Sequence, residues 1–61
     1  MLDLDKNYLL RFDTPFGKVF TFETIKIIAC DDNFVYFKDR TGKTSTYRLK
    51  DMVSSEELNN G

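Results

Sequence analysis

The stretch NFVYFKDRTGKTSTYRL, Asn33 to Leu49, decides the fold. Its two arms, Phe34–Lys38 and Thr44–Leu49, are rich in aromatic and β-branched residues and have strand length. Between them, DRTGK (Asp39 to Lys43) places Gly42 where a type I turn followed by a bulge needs a left-handed residue. The stretch is therefore expected to be a β-hairpin. In alternate residues, Val35 and Phe37 share a side with Tyr47 and Leu49, the expected core side. The opposite parity carries Phe34, Tyr36 and Lys38, with Thr44, Thr46 and Arg48 on the partner arm. An antiparallel hairpin needs one apolar face, and this one carries aromatics on both.

Outward from the hairpin, three more breaks divide the chain. In DTPFG (Asp13 to Gly17), Pro15 fixes φ and Gly17 is free to take a positive φ. CDDN (Cys30 to Asn33) is rich in side chains that hydrogen-bond nearby backbone. LKDM (Leu49 to Met52) has the length of a single 3₁₀ turn. The strands expected between these breaks are Tyr8–Asp13, Lys18–Cys30, Phe34–Lys38, Thr44–Leu49 and Val53–Glu56. The second is long and its alternation slips, since Phe20 and Phe22 have one parity, Ile25 and Ile27 the other. Keeping its apolar side inward requires a bulge or bend, expected near Glu23 and Thr24. The expected inward set is Phe20, Phe22, Ile25, Ile27, Val35, Phe37, Tyr47 and Leu49. The segment SSEEL (Ser54 to Leu58) also has a serine cap with acids in the first turn, so a short C-terminal helix competes there with the strand.

Short strands, a bent second strand and a turn before the last resemble the SH3-like and Sm-like small β-barrels over residues 7 to 57. The resemblance implies an all-β, five-stranded antiparallel and strongly bent barrel; residues 58–61 beyond it are expected to be a flexible tail. It implies no activity, because such folds host unrelated functions. Within residues 7 to 57 there is no Asn-Gly signature of Sm proteins, and the chain has no tryptophan of the kind peptide-binding SH3 domains carry. An OB-like barrel, the alternative, usually needs more residues.

At 61 residues the chain is one domain. A domain of this size buries only about 60% of its unfolded surface and gains from reinforcement. Cys30 is the single cysteine and there is no histidine, so an intrachain disulfide and a Cys/His zinc set are both excluded. Oligomerisation is the reinforcement left, and a homodimer or higher oligomer stands beside the monomer as an expectation. Hydrophobic residues at 41% and aromatics at 15% argue for a folded chain rather than disorder. Apolar runs reach only four residues, as in Ile27 to Cys30, too short to span a bilayer, and MLDLDKN is acidic where a secretory signal is basic. A cytoplasmic protein is expected.

Nine Lys and Arg against ten Asp and Glu give a net charge of −1. Proteins that grip phosphate backbones usually carry a clear positive excess, so nucleic-acid binding here must rest on a local patch. The outer hairpin face supplies one: Phe34 and Tyr36 beside Lys38 and Arg48 resemble a stacking platform with cations, and equally a protein contact surface. A weaker anion site is expected from Arg40, Lys43 and Lys50. GKTS (Gly42 to Ser45) is no phosphate-binding loop, since the required upstream glycine is Phe37 and a strand follows. Asp31 and Asp32 are expected to be turn formers and Cys30 a buried thiol without a histidine base.

No catalytic residue, metal site or cofactor is expected. The expected function is that of a binding protein, an adaptor, inhibitor or regulator of the kind phages and mobile elements encode, acting on a protein partner. A nucleic-acid-binding regulator and an oligomer sequestering a nucleotide-like anion are the alternatives. No membrane association is expected.

Overall fold

The computed structural model describes residues 2–58. Five antiparallel strands form one sheet: β1 (Tyr8–Asp13), β2 (Val19–Cys30), β3 (Phe34–Asp39), β4 (Thr44–Arg48) and β5 (Met52–Glu57), in the order β4-β3-β2-β1-β5. A 3₁₀ turn, Leu49–Asp51, separates β4 from β5. It redirects the chain so that β5 pairs with β1 rather than with β4. The rival helix at Ser54–Leu58 is not formed; β5 runs through it, and Leu58 N–H continues the pairing by donating to the Asn7 carbonyl at 2.8 Å. The expected tail otherwise falls on residues 59–61, outside the described residues.

Each tight turn has a local cause. Gly42 takes φ 88° and Gly17 φ 75°, values that L side chains rarely adopt. At the first hairpin, Thr14 Oγ1 donates to the Lys18 carbonyl at 2.7 Å, and Gly17 N–H donates to the Thr14 carbonyl at 3.2 Å. Between β2 and β3, Asp31 Oδ1 accepts from the Asn33 and Phe34 N–H groups, each at 2.8 Å. At the β3–β4 turn, Asp39 is buried, and its Oδ1 accepts from the Thr41 hydroxyl, the Thr41 N–H and the Lys43 N–H.

These bonds make Asp39 an acid-sensitive joint. The Thr41 hydroxyl, helped by the two N–H donors and the nearby Lys43 charge, holds its carboxyl below the usual range, against the opposing pull of burial. A depressed folded pKa contributes stability that is fully present above the unfolded value near 3.9 and lost as pH falls through the folded one. Melting temperature should therefore hold down to about pH 4 and fall below it. Asp39→Asn should melt lower than the parent at neutral pH and lose less on acidification. A variant with the parent's acid dependence would remove Asp39 from this role.

The long second strand carries two bulges. Between the pairs Thr24↔Asp39 and Lys26↔Lys38, Ile25 is the extra residue; between Ile27↔Phe37 and Ala29↔Tyr36, it is Ile28. The inward positions of β2 are Phe20, Phe22, Thr24, Ile27 and Cys30, so their spacing changes from two residues to three at each bulge. The slip expected at Glu23 and Thr24 thus occurs later, and in two steps. It overturns the expected inward place of Ile25, which is 50% exposed. Phe20 has inward parity, opposite buried Phe12, but stands at the open end of the sheet and is 44% exposed.

Leu10, Phe12, Ile27, Val35 and Phe37 form the fully buried core, joined by Leu2 and Tyr8. Phe22, Tyr47, Leu49, Met52 and half-buried Cys30 pack against it. The Phe12 and Tyr47 rings stack with centroids 4.5 Å apart, although two strands lie between β1 and β4 in the sheet. Phe22 and Phe37 complete the cluster at 5.2 Å from each other. The sheet must curl tightly to bring these four rings together. It does not close: among the described residues β4 and β5 are both edges, so the expected barrel is an open, curled sheet.

Among the described residues every buried side-chain nitrogen and oxygen has a hydrogen-bond partner. Thr24 Oγ1 accepts from Tyr8 N–H at 2.9 Å and donates to Asn7 Oδ1 at 3.3 Å, tying the start of β1 to the middle of β2. Lys6 pairs with Asp3 and Glu57, and the Glu57 contact raises its pKa.

Candidate contact surface

The outer face of β2, β3 and β4 is built by register. Across the β3–β4 hairpin the pairs are Phe34↔Arg48, Tyr36↔Thr46 and Lys38↔Thr44, so the residues expected on this face do share it. The Phe34 and Tyr36 rings lie 6.4 Å apart at 43°. Phe34 is 38% exposed and Tyr36 half-buried, while Lys38 and Arg48 are exposed. On the next strand, Ala29 faces Tyr36 and Lys26 faces Lys38.

The two bulges enlarge this face. A bulge presents two consecutive residues where the pleat would present one. Ile25 with Lys26, and Ile28 with Ala29, are all exposed. Ile28, 45% exposed, therefore adds an apolar side chain beside the Tyr36 row. Neither isoleucine was among the expected site residues, because simple alternation gives Ile25 and Ile28 opposite faces. The one signal in the sequence was the broken parity of β2, which announces a bulge without fixing its place.

Arg48 is not a free cation. Its Nε donates to Asp51 Oδ2 at 2.9 Å, a contact across the 3₁₀ turn. Beside it, Phe34, Arg48, Lys50, Asp32 and Asn33 line a shallow cleft of about 190 Å³. Arg48 and Lys50 are balanced there by the carboxylates of Asp32 and Asp51.

The expected anion site is not assembled as one unit. Arg40 and Lys43 sit at the β3–β4 turn, whereas Lys50 lies beyond the far end of β4. Arg40 is further engaged with Glu23 at 3.1 Å. Lys43 instead borders a groove of about 500 Å³ lined by Val19, Phe20, Thr21, Phe22 and Tyr47, on the open side of the curl. Asp31 is occupied in capping its own turn, and those backbone bonds depress its pKa. Among the described residues no three His, Cys, Asp or Glu side chains gather as metal ligands, and no helix is long and apolar enough to cross a membrane.

An arrangement of aromatic rings, aliphatic side chains and peripheral cations can bind by burial and charge. Compared with protein-family models, curated proteins and solved structures, the chain matches none.

Proposed function

We propose that this is a non-catalytic binding protein that acts by occupying a surface on a protein partner, through the outer face that carries Phe34, Tyr36, Lys38 and Arg48. One observation carries the reading: Ile25, Ile28 and Phe34 are exposed, and they share that face with Tyr36. Contiguous exposed apolar groups with cations at the rim mark interaction sites, and Tyr and Arg dominate interface energetics. A strand order with β5 beside β1, and a 3₁₀ turn before β5, support an SH3-like description of the scaffold. A cytoplasmic setting belongs to the same proposal, supported by the free thiol of Cys30.

The double variant Tyr36→Ala, Arg48→Ala tests it. A surface ion pair is worth about 0.2–1 kcal/mol and a cross-strand contact about 0.2–1 kcal/mol. Losses of that order lower the melting temperature of so small a domain by roughly 2–16 °C. The expected result is a folded protein of unchanged mass by light scattering that no longer captures its partner. Dissociation of an oligomer into monomers would assign the face to self-assembly, and undiminished capture would reject the proposal.

A further inference from the structure

Lys26 and Lys38 face each other directly across β2 and β3, both exposed. Like charges placed directly opposite in a sheet are destabilising. Among the described residues neither makes an ion pair, whereas Lys6, Arg40 and Arg48 each meet a carboxylate. The next outward row is Ala29 and Tyr36, with Ile28 exposed at the bulge beside it. The face thus has an uncompensated positive end next to an apolar centre, while its Phe34 end is balanced by Asp32 and Asp51.

Resting on the contact-surface reading above, we infer that the partner is an acidic–apolar protein segment: an apolar side chain seats against Ile28 and Tyr36 while a carboxylate lodges between Lys26 and Lys38. The bridging carboxylate relieves the repulsion that the free protein carries, so it contributes differentially to the bound state. Charge also orients the segment, because only one end of the face attracts an anion. A protein carboxylate is favoured over nucleic-acid phosphate by the net charge of −1, which gives no long-range attraction to a polyanion.

The test uses the full chain and four probes: short synthetic peptides with a Leu-Phe anchor flanked by Asp and Glu, by Ser or by Lys, and a single-stranded oligo-dT. Amide NMR shifts report the binding place, and titration reports the affinity. The acidic peptide should shift Ile28, Tyr36, Lys26 and Lys38 and bind tightest. The double variant Lys26→Gln, Lys38→Gln should weaken it roughly tenfold, the fold-change that two exposed ion pairs supply. The same variant should melt no lower than the parent, because it removes a repulsion. Equal binding of all three peptides at this face would overturn the inference and leave the contact surface standing. Preferential oligo-dT binding at these amides, weakening steeply with salt, would overturn both in favour of nucleic acid. Absence of shifts on this face with every probe would also overturn both.

Discussion

Phe37→Ala should bring the domain close to unfolding at room temperature. Phe37 is fully buried, and its ring lies 6.1 Å from Phe12, 5.2 Å from Phe22 and 6.1 Å from Tyr47. Truncating a phenylalanine in such a site costs about 3–5 kcal/mol, from lost transfer free energy and from the cavity left behind. Native domains have only about 5–15 kcal/mol in total, and one this small sits at the low end of that range. Relaxation offers little relief. The four stacked and tilted rings bridge β1, β2, β3 and β4, so a void at the centre removes contacts that hold the curl. Chemical denaturation followed by tyrosine fluorescence and circular dichroism would measure the loss. A well-folded variant with a melting temperature near the parent's would place Phe37 outside the core.

The second large effect is a contrast within one strand. Ile27→Ala should cost about 2–5 kcal/mol, since Ile27 is buried and paired with Phe37. Ile25→Ala and Ile28→Ala, two neighbours of the same residue type, should each cost less than about 1 kcal/mol, as surface substitutions do. Three alanine variants compared by urea unfolding at constant m-value would read the bulge pattern directly. Similar losses at all three positions would contradict the register, and large losses at both Ile25 and Ile27 would restore simple alternation. The binding consequence is opposite in order. Ile28→Ala should weaken partner capture without disturbing the fold, because its side chain belongs to the contact surface.

The hairpin was legible in the sequence because its signals are local. Gly42 and the acids at Asp31 and Asp39 act on backbone groups within four residues of themselves, and their turns form as expected. The parity of Val35 and Phe37 against Phe34 and Tyr36 was legible for the same reason. The bulges were not. A parity slip between Phe22 and Ile27 is compatible with an extra residue at several positions, and cross-strand pairing with β3 chooses Ile25. That choice lets Thr24 turn inward to bond Asn7 and Tyr8, contacts sixteen and seventeen residues away in the chain. The openness of the sheet was equally hidden, being decided by whether β4 and β5, at opposite ends of the strand order, meet.

Of the candidate site, Phe34, Tyr36 and Lys38 could be placed from alternation alone, and the structure brings them together with Arg48. The coupling of Arg48 to Asp51 depends on the 3₁₀ turn that sets them on one side, and the separation of Lys50 from Arg40 and Lys43 follows from the length of β4. The repulsive Lys26–Lys38 pair needs the doubly bulged register, so no reading of β2 by itself reveals it.

Site-specific photo-crosslinking tests the contact surface most directly. A benzophenone side chain would replace Tyr36 on the outer face or, as a control, exposed Thr21, which lies on the β1–β2 arm opposite Arg11. The protein would be irradiated in the cells that make it, and adducts resolved by mass. Adducts heavier than the single chain from position 36, and none from position 21, are the predicted result. Adducts from position 21 with none from position 36 would contradict the assignment of the outer face as the surface this protein uses.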